Sequence, residues 1–446
     1  MDSRARVAGR ERVLSALTDR LRGVIRPSAG VPTAASRGID GLDPAEVLGG
    51  TWHEVEGQRF VVVERAYRPG HRHGRLSVAD SLPPSDGAWP TLDLLSRTPC
   101  RQNLLFVDLE TTGLMGGAGT YAFLVGCAWF DGGTFRVRQY LMSSVTGERG
   151  LLLALADLAG NTGTVVTYNG KSFDLPLIET RFLFHRMTSP FAGMPHVDML
   201  HPARRLWRPL GNDAPPAPSR LGMPMTESAC RLTTLERTLW GFEREGDVPG
   251  YEIPDRYFAF VRSGDARPLD AVLEHNRLDL LSLACVTAHA CQMLDAGPLG
   301  ARSPREALGL GRIFLSGGRL DEARECFGAA GGLHAPVWGT PAPMVQIEGL
   351  RAFALVSRRQ RRFDEAAAAW QRVVDLPDSP APIVREATEA LAVHYEHRRR
   401  DIPTAKSMAL QALMCGAGGG REGAIRHRVA RLDRKLETAA TAASLF

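Results

Sequence analysis

Lysine is almost missing from this chain of 446 residues: of 54 basic residues, only Lys171, Lys406 and Lys435 are lysine. A GC-rich genome favouring arginine codons accounts for that, so the bias by itself points to no arginine-specific function. Cysteine is sparse too, with seven residues scattered at 100, 127, 230, 285, 291, 326 and 415 and none in a CxxC pair. That spacing argues against a zinc ribbon, an iron–sulfur site or a disulfide framework. No apolar run reaches the roughly 20 residues that cross a bilayer. The N-terminal MDSRARVAGRERVL is charged and has no signal-peptide core. A cytoplasmic protein without a membrane partner is therefore expected. What remains is 44% hydrophobic and 23% charged, as in a soluble globular protein, and the length predicts two or three domains.

The net charge of +5 is too small to imply a nucleic-acid partner, but it is unevenly spread. Residues 1–100 carry 14 basic and 12 acidic residues, 101–300 carry 18 and 21, and 301–446 carry 22 and 16. The middle segment is thus the acidic one.

Hydrophobic periodicity divides the chain. Residues 1–24 read as an amphipathic helix with Val13, Leu14, Leu17 and Leu21 on one side, within an N-terminal helical extension over 1–50. A short β-rich segment over 51–99 follows, with strands at Thr51–Val55 and Phe60–Val63. His71 and His73 lie in its turn-like RPGHRHG; no carboxylate or cysteine stands at ligand spacing, so a structural turn is preferred to a metal site. From residue 101 the spacing predicts strands at Leu104–Glu110, Tyr121–Phe130 and Thr134–Met142, then a helix at Gly150–Ala159. A strand at Thr164–Tyr168, a helix at Asp174–Arg186 and a strand at His196–Leu200 come next. The order βββαβαβ predicts an α/β domain over 100–296: a mixed sheet flanked by helices. A proline-rich loop is expected at 209–224 and one long helix at Pro268–Leu294. After Gly297 the pattern is helical throughout. GRLDEA at 318–323 followed by Phe327 recurs as RFDEA at 362–366 followed by Trp370, with a weaker echo at Ala405, Ala409 and Ala412. This small–aromatic–small pattern resembles the second helix of tetratricopeptide repeats, at spacings of 43 and 39 residues rather than about 34. An all-α, TPR-like helical domain with insertions is expected over 297–446.

The chemistry starts from FVDLETTGL at 106–114. Alternate side chains of a strand share a face, so Asp108 and Glu110 point the same way. Two neighbouring carboxylates repel, and one tends to keep its proton unless a cation intervenes. Hard oxygen ligands suit Mg²⁺ or Mn²⁺. A lone DxE is also common on solvated strands. Further acids occur in YNGKSFD, where Asp174 opens a helix, and in HNRLD, where His275 and Asp279 are one helical turn apart. Alone, Asp174 reads as an acid at a helix N-terminus and the His275–Asp279 pair as a surface pair.

Together the three segments match the motifs of the DEDD exonucleases, whose fold is ribonuclease H-like. YNGKSFD resembles the proofreading domains of family B DNA polymerases. The wider pattern, with HVDML at 196–200, REGDVPGYEIPDRY at 244–257 and HNRLDLLSLA at 275–284, resembles the YprB-type ribonuclease H-like domains over about residues 100–295. The resemblance implies a 3′→5′ exonuclease acting on single-stranded DNA or RNA. It implies that Asp108, Glu110, Asp174 and Asp279 bind two metal ions, Mg²⁺ or Mn²⁺, and that His275 is the general base. In the histidine branch of that superfamily, His normally precedes the last Asp by five residues; in the tyrosine branch Tyr precedes it by four. This sequence has the tyrosine spacing with a histidine in the slot, so a water relay through the shorter imidazole is an alternative to direct proton transfer. Thr111, Asn169 and Lys171 are candidate substrate contacts, with a solvated loop lysine as the other reading of Lys171. Asp198 is a candidate supporting residue.

Other signals are weaker. Gly170-Lys171-Ser172 ends like a phosphate-binding loop, but Val165 stands where that motif requires glycine. The glycine-rich 113–119 joins two strands of a hairpin, which argues against a dinucleotide site. Arg358, Arg359, Arg361 and Arg362, and Arg398–Arg400, are read as solvated helix faces in preference to a track for nucleic-acid backbone. Two other functions stay open: a TPR-like scaffold with an inactive nuclease-like domain and a protein partner, and a ribonuclease H-like endonuclease.

Overall fold

The computed structural model describes residues 43–84, 89–96, 98–113, 119–210, 230–333, 338, 341–416 and 420–443. The amphipathic helix expected at 1–24, and most of the proline-rich loop, lie outside the described residues. The strands are β1 (Thr51–Val55), β2 (Gln58–Tyr67), β3 (Arg72–His73), β4 (Leu76–Ser77), β5 (Leu104–Thr111), β6 (Ala122–Asp131), β7 (Thr134–Leu141), β8 (Thr164–Thr167) and β9 (His196–Asp198). Seven of them form one sheet in the order β1-β2-β7-β6-β5-β8-β9. The β1 to β5 side is antiparallel, and β5, β8 and β9 run parallel. This is the mixed sheet that the sequence predicts, with one enlargement. The segment expected as a lead-in supplies two strands of the sheet itself, because Phe60-Val61-Val62-Val63 is buried throughout and β2 pairs with β7.

The parallel strands are connected through helices α1 (Glu148–Ala159) and α2 (Asp174–Phe184). Strand β9 ends at Asp198, short of the expected Leu200. The Asp198 carboxylate accepts the backbone N–H of Leu200, and Leu200 opens α3 (Leu200–Trp207). Helix α4 (Ile253–Ser263) precedes α5 (Asp270–Asp295), which begins after a short turn at Arg267–Leu269 rather than at Pro268. Helix α5 packs on β5 and β6.

Strand β5 is buried on both faces, which its unbroken run Leu104-Leu105-Phe106-Val107 dictates. Leu104 and Phe106 enter the apolar core that α5 closes, whereas Leu105, Val107 and Leu109 enter the core on the opposite face. Asp108 and Glu110 therefore continue the row of Leu104 and Phe106, at the point where apolar packing gives out.

The C-terminal region is helical, as expected. Among the described residues it comprises α6 (Pro304–Ser316), α7 (Leu320–Ala330), α8 (Pro343–Arg359), α9 (Phe363–Asp375), α10 (Ala381–His394), α11 (Ile402–Met414) and α12 (Gly420–Ala443). Each packs on the next, and the recurring Ala323, Phe327, Ala366, Trp370, Ala405, Ala409 and Ala412 are all buried. The apolar core beneath α5 continues from Phe106 through Phe314 and Phe327 to Trp370 and Leu391. Helix α6 lies against α3 so closely that a side-chain carbon on Gly309 would fall 2.4 Å from the Arg205 carbonyl oxygen.

Candidate active site

Asp108 reaches its position through a relay of buried amides. Asn276 of α5 is fully buried and donates from Nδ2 to Asp108 Oδ2 at 2.8 Å and to the Asp108 carbonyl at 3.2 Å. Gln139 of β7, also fully buried, donates to Asn276 Oδ1 at 2.8 Å and to the Leu273 carbonyl at 2.8 Å. This relay crosses β6 at Gly126, the residue opposite Asp108 in the sheet. A side-chain carbon there would stand 2.1 Å from Asn276 Oδ1, so only glycine leaves room for the amide.

The sheet and two helices then gather the acids. Glu110 is two residues beyond Asp108 on β5, at an irregularity where the pairing with β6 shifts between Glu110 and Thr111. Asp174 is the first residue of α2, which the loop after β8 aims at the end of β5. Asp279 is on α5 one turn beyond His275. Each of the three carboxylates of Asp108, Glu110 and Asp174 is shifted upward. Burial is the main cause for Asp108, followed by the charges of Asp279, Glu110 and Asp174, and the value lies well above the usual carboxylate range. Glu110 is raised by burial, then by Asp279, Asp174 and Asp247, against an opposing pull from Arg244. Burial raises Asp174 to about 7, with Asp198 and Asp279 adding to the shift, while backbone N–H bonds at Asp174 and Leu109 oppose it. The fold therefore concentrates negative charge that its own cations do not neutralise.

His275 is held from the other side. Its Nδ1 lies 2.6 Å from Asp247 Oδ1, and its Nε2 lies 3.6 Å from Asp279 Oδ2. A carboxylate only accepts, so Nδ1 carries the hydrogen in the neutral ring and Nε2 keeps its lone pair. Asp247 is itself placed by Arg244, at 3.5 Å, and by the N–H of Val248 at 3.0 Å. The Arg244 guanidinium also meets Asp279 and grips buried Glu236 through two bonds of 2.9 and 2.5 Å. Glu236 accepts from Ser282 Oγ at 2.5 Å, and Ser282 bonds His73 Nε2 at 2.7 Å. His73 is accordingly part of the scaffold, as the turn reading expected: it is buried, and burial together with Arg244 lowers its pKa to about 3.

The other expected contacts are backbone fixtures. Buried Asp198 accepts the N–H of Asn169 at 2.7 Å and of Lys171 at 3.0 Å, and so braces the loop that delivers Asp174. The Lys171 side chain is exposed. Thr111 donates from Oγ1 to the Gly113 carbonyl at 3.0 Å, which turns the chain out of β5. Four residues that shape the site carried no assigned role in the sequence: Asn276, Gln139, Arg244 and Asp247. Three of them lie within the HNRLD and REGD segments, where a polar residue beside a candidate ligand was the available signal. Gln139 gave none.

Asp108, Glu110 and Asp174, which burial and neighbouring carboxylates push towards the protonated form, are with Asp279 the donor chemistry of a hard divalent cation, and in that respect the residues fit one. As placed, Asp279 is met by Arg244, and among the described residues no three His, Cys, Asp or Glu side chains stand close enough together to hold an ion.

The chain is similar to a known protein over most of its length. A Bacillus subtilis (strain 168) protein, "Uncharacterized protein YprB", is 28% identical over 417 residues, which cover 89% of this chain and 91% of that protein. Residues 105–291 match the family model for the RNase_H superfamily, and all four acids and His275 lie inside the matched stretch.

Proposed function

We propose that this chain is a metal-dependent 3′→5′ exonuclease of the DEDD type, joined to a TPR-like helical region and acting in the cytoplasm. Its substrate is the 3′ end of single-stranded DNA or RNA, and it hydrolyses the phosphodiester bond. The observation that carries the reading is that the charges of Asp108, Glu110, Asp174 and Asp279 bear on one another beside a histidine whose ring Asp247 fixes.

Asp108, Glu110, Asp174 and Asp279 would hold the cations, Mg²⁺ or Mn²⁺, with two ions as the family resemblance implies. Bound there, such cations would polarise a phosphoryl group and lower the pKa of water, so that it gives up a proton more readily. The protein's own groups do the rest. Asn276 fixes Asp108 in one orientation. Asp247 locks the His275 ring with Nε2 on the Asp279 side, ready to accept the proton that an attacking water gives up. Arg244 ties Asp247 and Asp279 to Glu236, so the histidine and the last acid move as a unit. The bond to Asp247 gives the short His275 spacing a structural account: a partner from another segment, not the helix alone, aims the imidazole. That supports direct proton transfer over a water relay.

The test is cleavage of single strands of DNA and RNA, labelled at the 3′ or the 5′ end, by purified protein with Mg²⁺ or Mn²⁺. Stepwise loss of nucleotides from the 3′ end, abolished in Asp108→Ala, is expected. Cleavage of a circular strand would identify an endonuclease instead. No cleavage of any strand by folded protein would leave the scaffold reading.

A further inference from the structure

The chain's net charge is concentrated at its C-terminal end. Residues 395–446 hold ten basic and five acidic residues, a net +5 that equals the formal charge of all 446 residues, so residues 1–394 are neutral in sum. These acids are engaged. Asp433 pairs with Lys406 at 2.6 Å, Glu422 with Arg426 at 2.6 Å, and Asp401 caps α11 by accepting from the N–H of Thr404 at 3.0 Å. Buried Glu396 receives Arg428 at 2.6 Å, Arg431 at 2.7 Å and Lys435 at 2.8 Å, all from α12. Three cations on one carboxylate leave an excess of two positive charges at a single spot.

Beside that spot runs a shallow groove of about 460 Å³ lined by Arg431, Arg434, Lys435, Thr438 and Ala439. It is separate from the acid site. Helix α12 packs on α11, with Ile425 and Leu432 in a small core with Ala392, Ala405, Ala409 and Ala412 that is distinct from both cores of the sheet.

We infer that this groove binds the phosphate backbone of the single-stranded nucleic acid whose 3′ end enters the acid site, with Arg431, Arg434 and Lys435 as its contacts. The inference rests on the nuclease reading above. A polyanion gains its sequence-independent affinity from cations that displace its counterions. Residues 101–300, which carry the acids, have 18 basic and 21 acidic residues and so no net positive charge to supply that term. The α12 end can, and it offers cations in excess of those its own acids consume. Its lining holds no aromatic ring to stack on a base and no carboxamide to pair with one, so the binding is indifferent to sequence.

The experiment measures binding of a labelled long oligo(dT) and oligo(U) to the full chain by fluorescence anisotropy, across salt concentrations and with EDTA present so that no strand is cut. Each phosphate contact on a single strand contributes about 0.7 to the slope of log K against log salt. The triple variant Arg431→Gln/Arg434→Gln/Lys435→Gln should therefore lower the slope by about 2. Should circular dichroism show that the triple variant loses helix, Arg434→Gln alone decides. Arg434 is not among the Glu396 partners, and its loss should lower the slope by about 0.7, while Arg434→Lys keeps it. An unchanged slope in the folded triple variant, or in Arg434→Gln, overturns the inference. So does competition by polyglutamate as effective as by oligo(dT), because the groove would then fit an acidic protein. Cleavage by the wild-type chain with Mn²⁺ is read separately: its absence would sink the nuclease reading and leave the binding result standing.

Discussion

Replacing Gly126 by alanine tests the buried relay directly. The added carbon would lie 2.1 Å from Asn276 Oδ1 and 2.8 Å from both Cγ and Nδ2, closer than any such contact can remain. The amide must therefore move, although Asn276 is fully buried and pinned by Gln139 and by two bonds to Asp108. Giving up three buried hydrogen bonds at about 0.5–1.5 kcal/mol each, with some overpacking, gives an expected loss of about 2–5 kcal/mol in urea unfolding. In an Asn276→Ala background the obstacle is gone, and Gly126→Ala should cost less than about 1 kcal/mol. The double-mutant cycle thus predicts a coupling of at least about 1 kcal/mol between two residues distant in sequence. The same substitution should reduce cleavage, since Asp108 loses the donor that orients it. Costs that simply add, within about 0.5 kcal/mol, would refute the placement of Asn276 under Gly126.

Asp108→Ala and Asp174→Ala should each abolish cleavage and the heat of Mn²⁺ binding in calorimetry while far-ultraviolet circular dichroism is preserved; turnover in either would count against the acid site. His275→Ala should slow single-turnover cleavage roughly 10²–10⁴-fold, with His275→Tyr recovering more activity than alanine, whereas equal rates would make His275 a bystander. Asp247→Ala should slow the same step by about 10–100-fold with Mn²⁺ affinity little changed, since it removes an orienting partner and no ligand. Asp174 has its pKa raised from 3.8 to about 7, so the folded chain binds more protons than the unfolded one. Its contribution to stability in EDTA is full below pH 3.8 and is lost as pH rises towards about 7. Asp174→Asn should flatten that decline, giving a metal-free melting temperature above wild type at pH 8; identical pH profiles would contradict the shift.

The sequence makes the architecture plain where periods are strong. The run Leu104–Val107, the alternating Thr134–Leu141 and the long apolar α5 each emerge close to their expected bounds. The acids are legible for the same reason, because carboxylates at the end of a buried strand violate the pattern around them. What it hides is long-range pairing. That β2 would join β7 depends on an edge left open by the hairpin, which no local period reports. Arg244 and Glu236 look like ordinary surface charges in sequence, and only tertiary contact buries them against each other. Gln139 sits at an inward position of a strand otherwise suited to an apolar residue, and its partner is 137 residues away.

The close seat of α6 on α3 has a consequence for how the two regions respond to load. Helix α3 starts at Leu200, whose N–H shares the Asp198 carboxylate with the amides of Asn169 and Lys171. That loop leads directly into Asp174. The seat is further tied by Trp207 Nε1 donating to Glu306 at 3.1 Å and by Arg305 donating to the Arg208 carbonyl at 2.5 Å. The helical region therefore stands as an abutment behind one of the acids, and its first helix sets how firmly Asp174 is braced. Tension applied to the far end of the helices would bear on the Asp174 loop through α3 and the Asp198 carboxylate, with Asp198 as the keystone of that route.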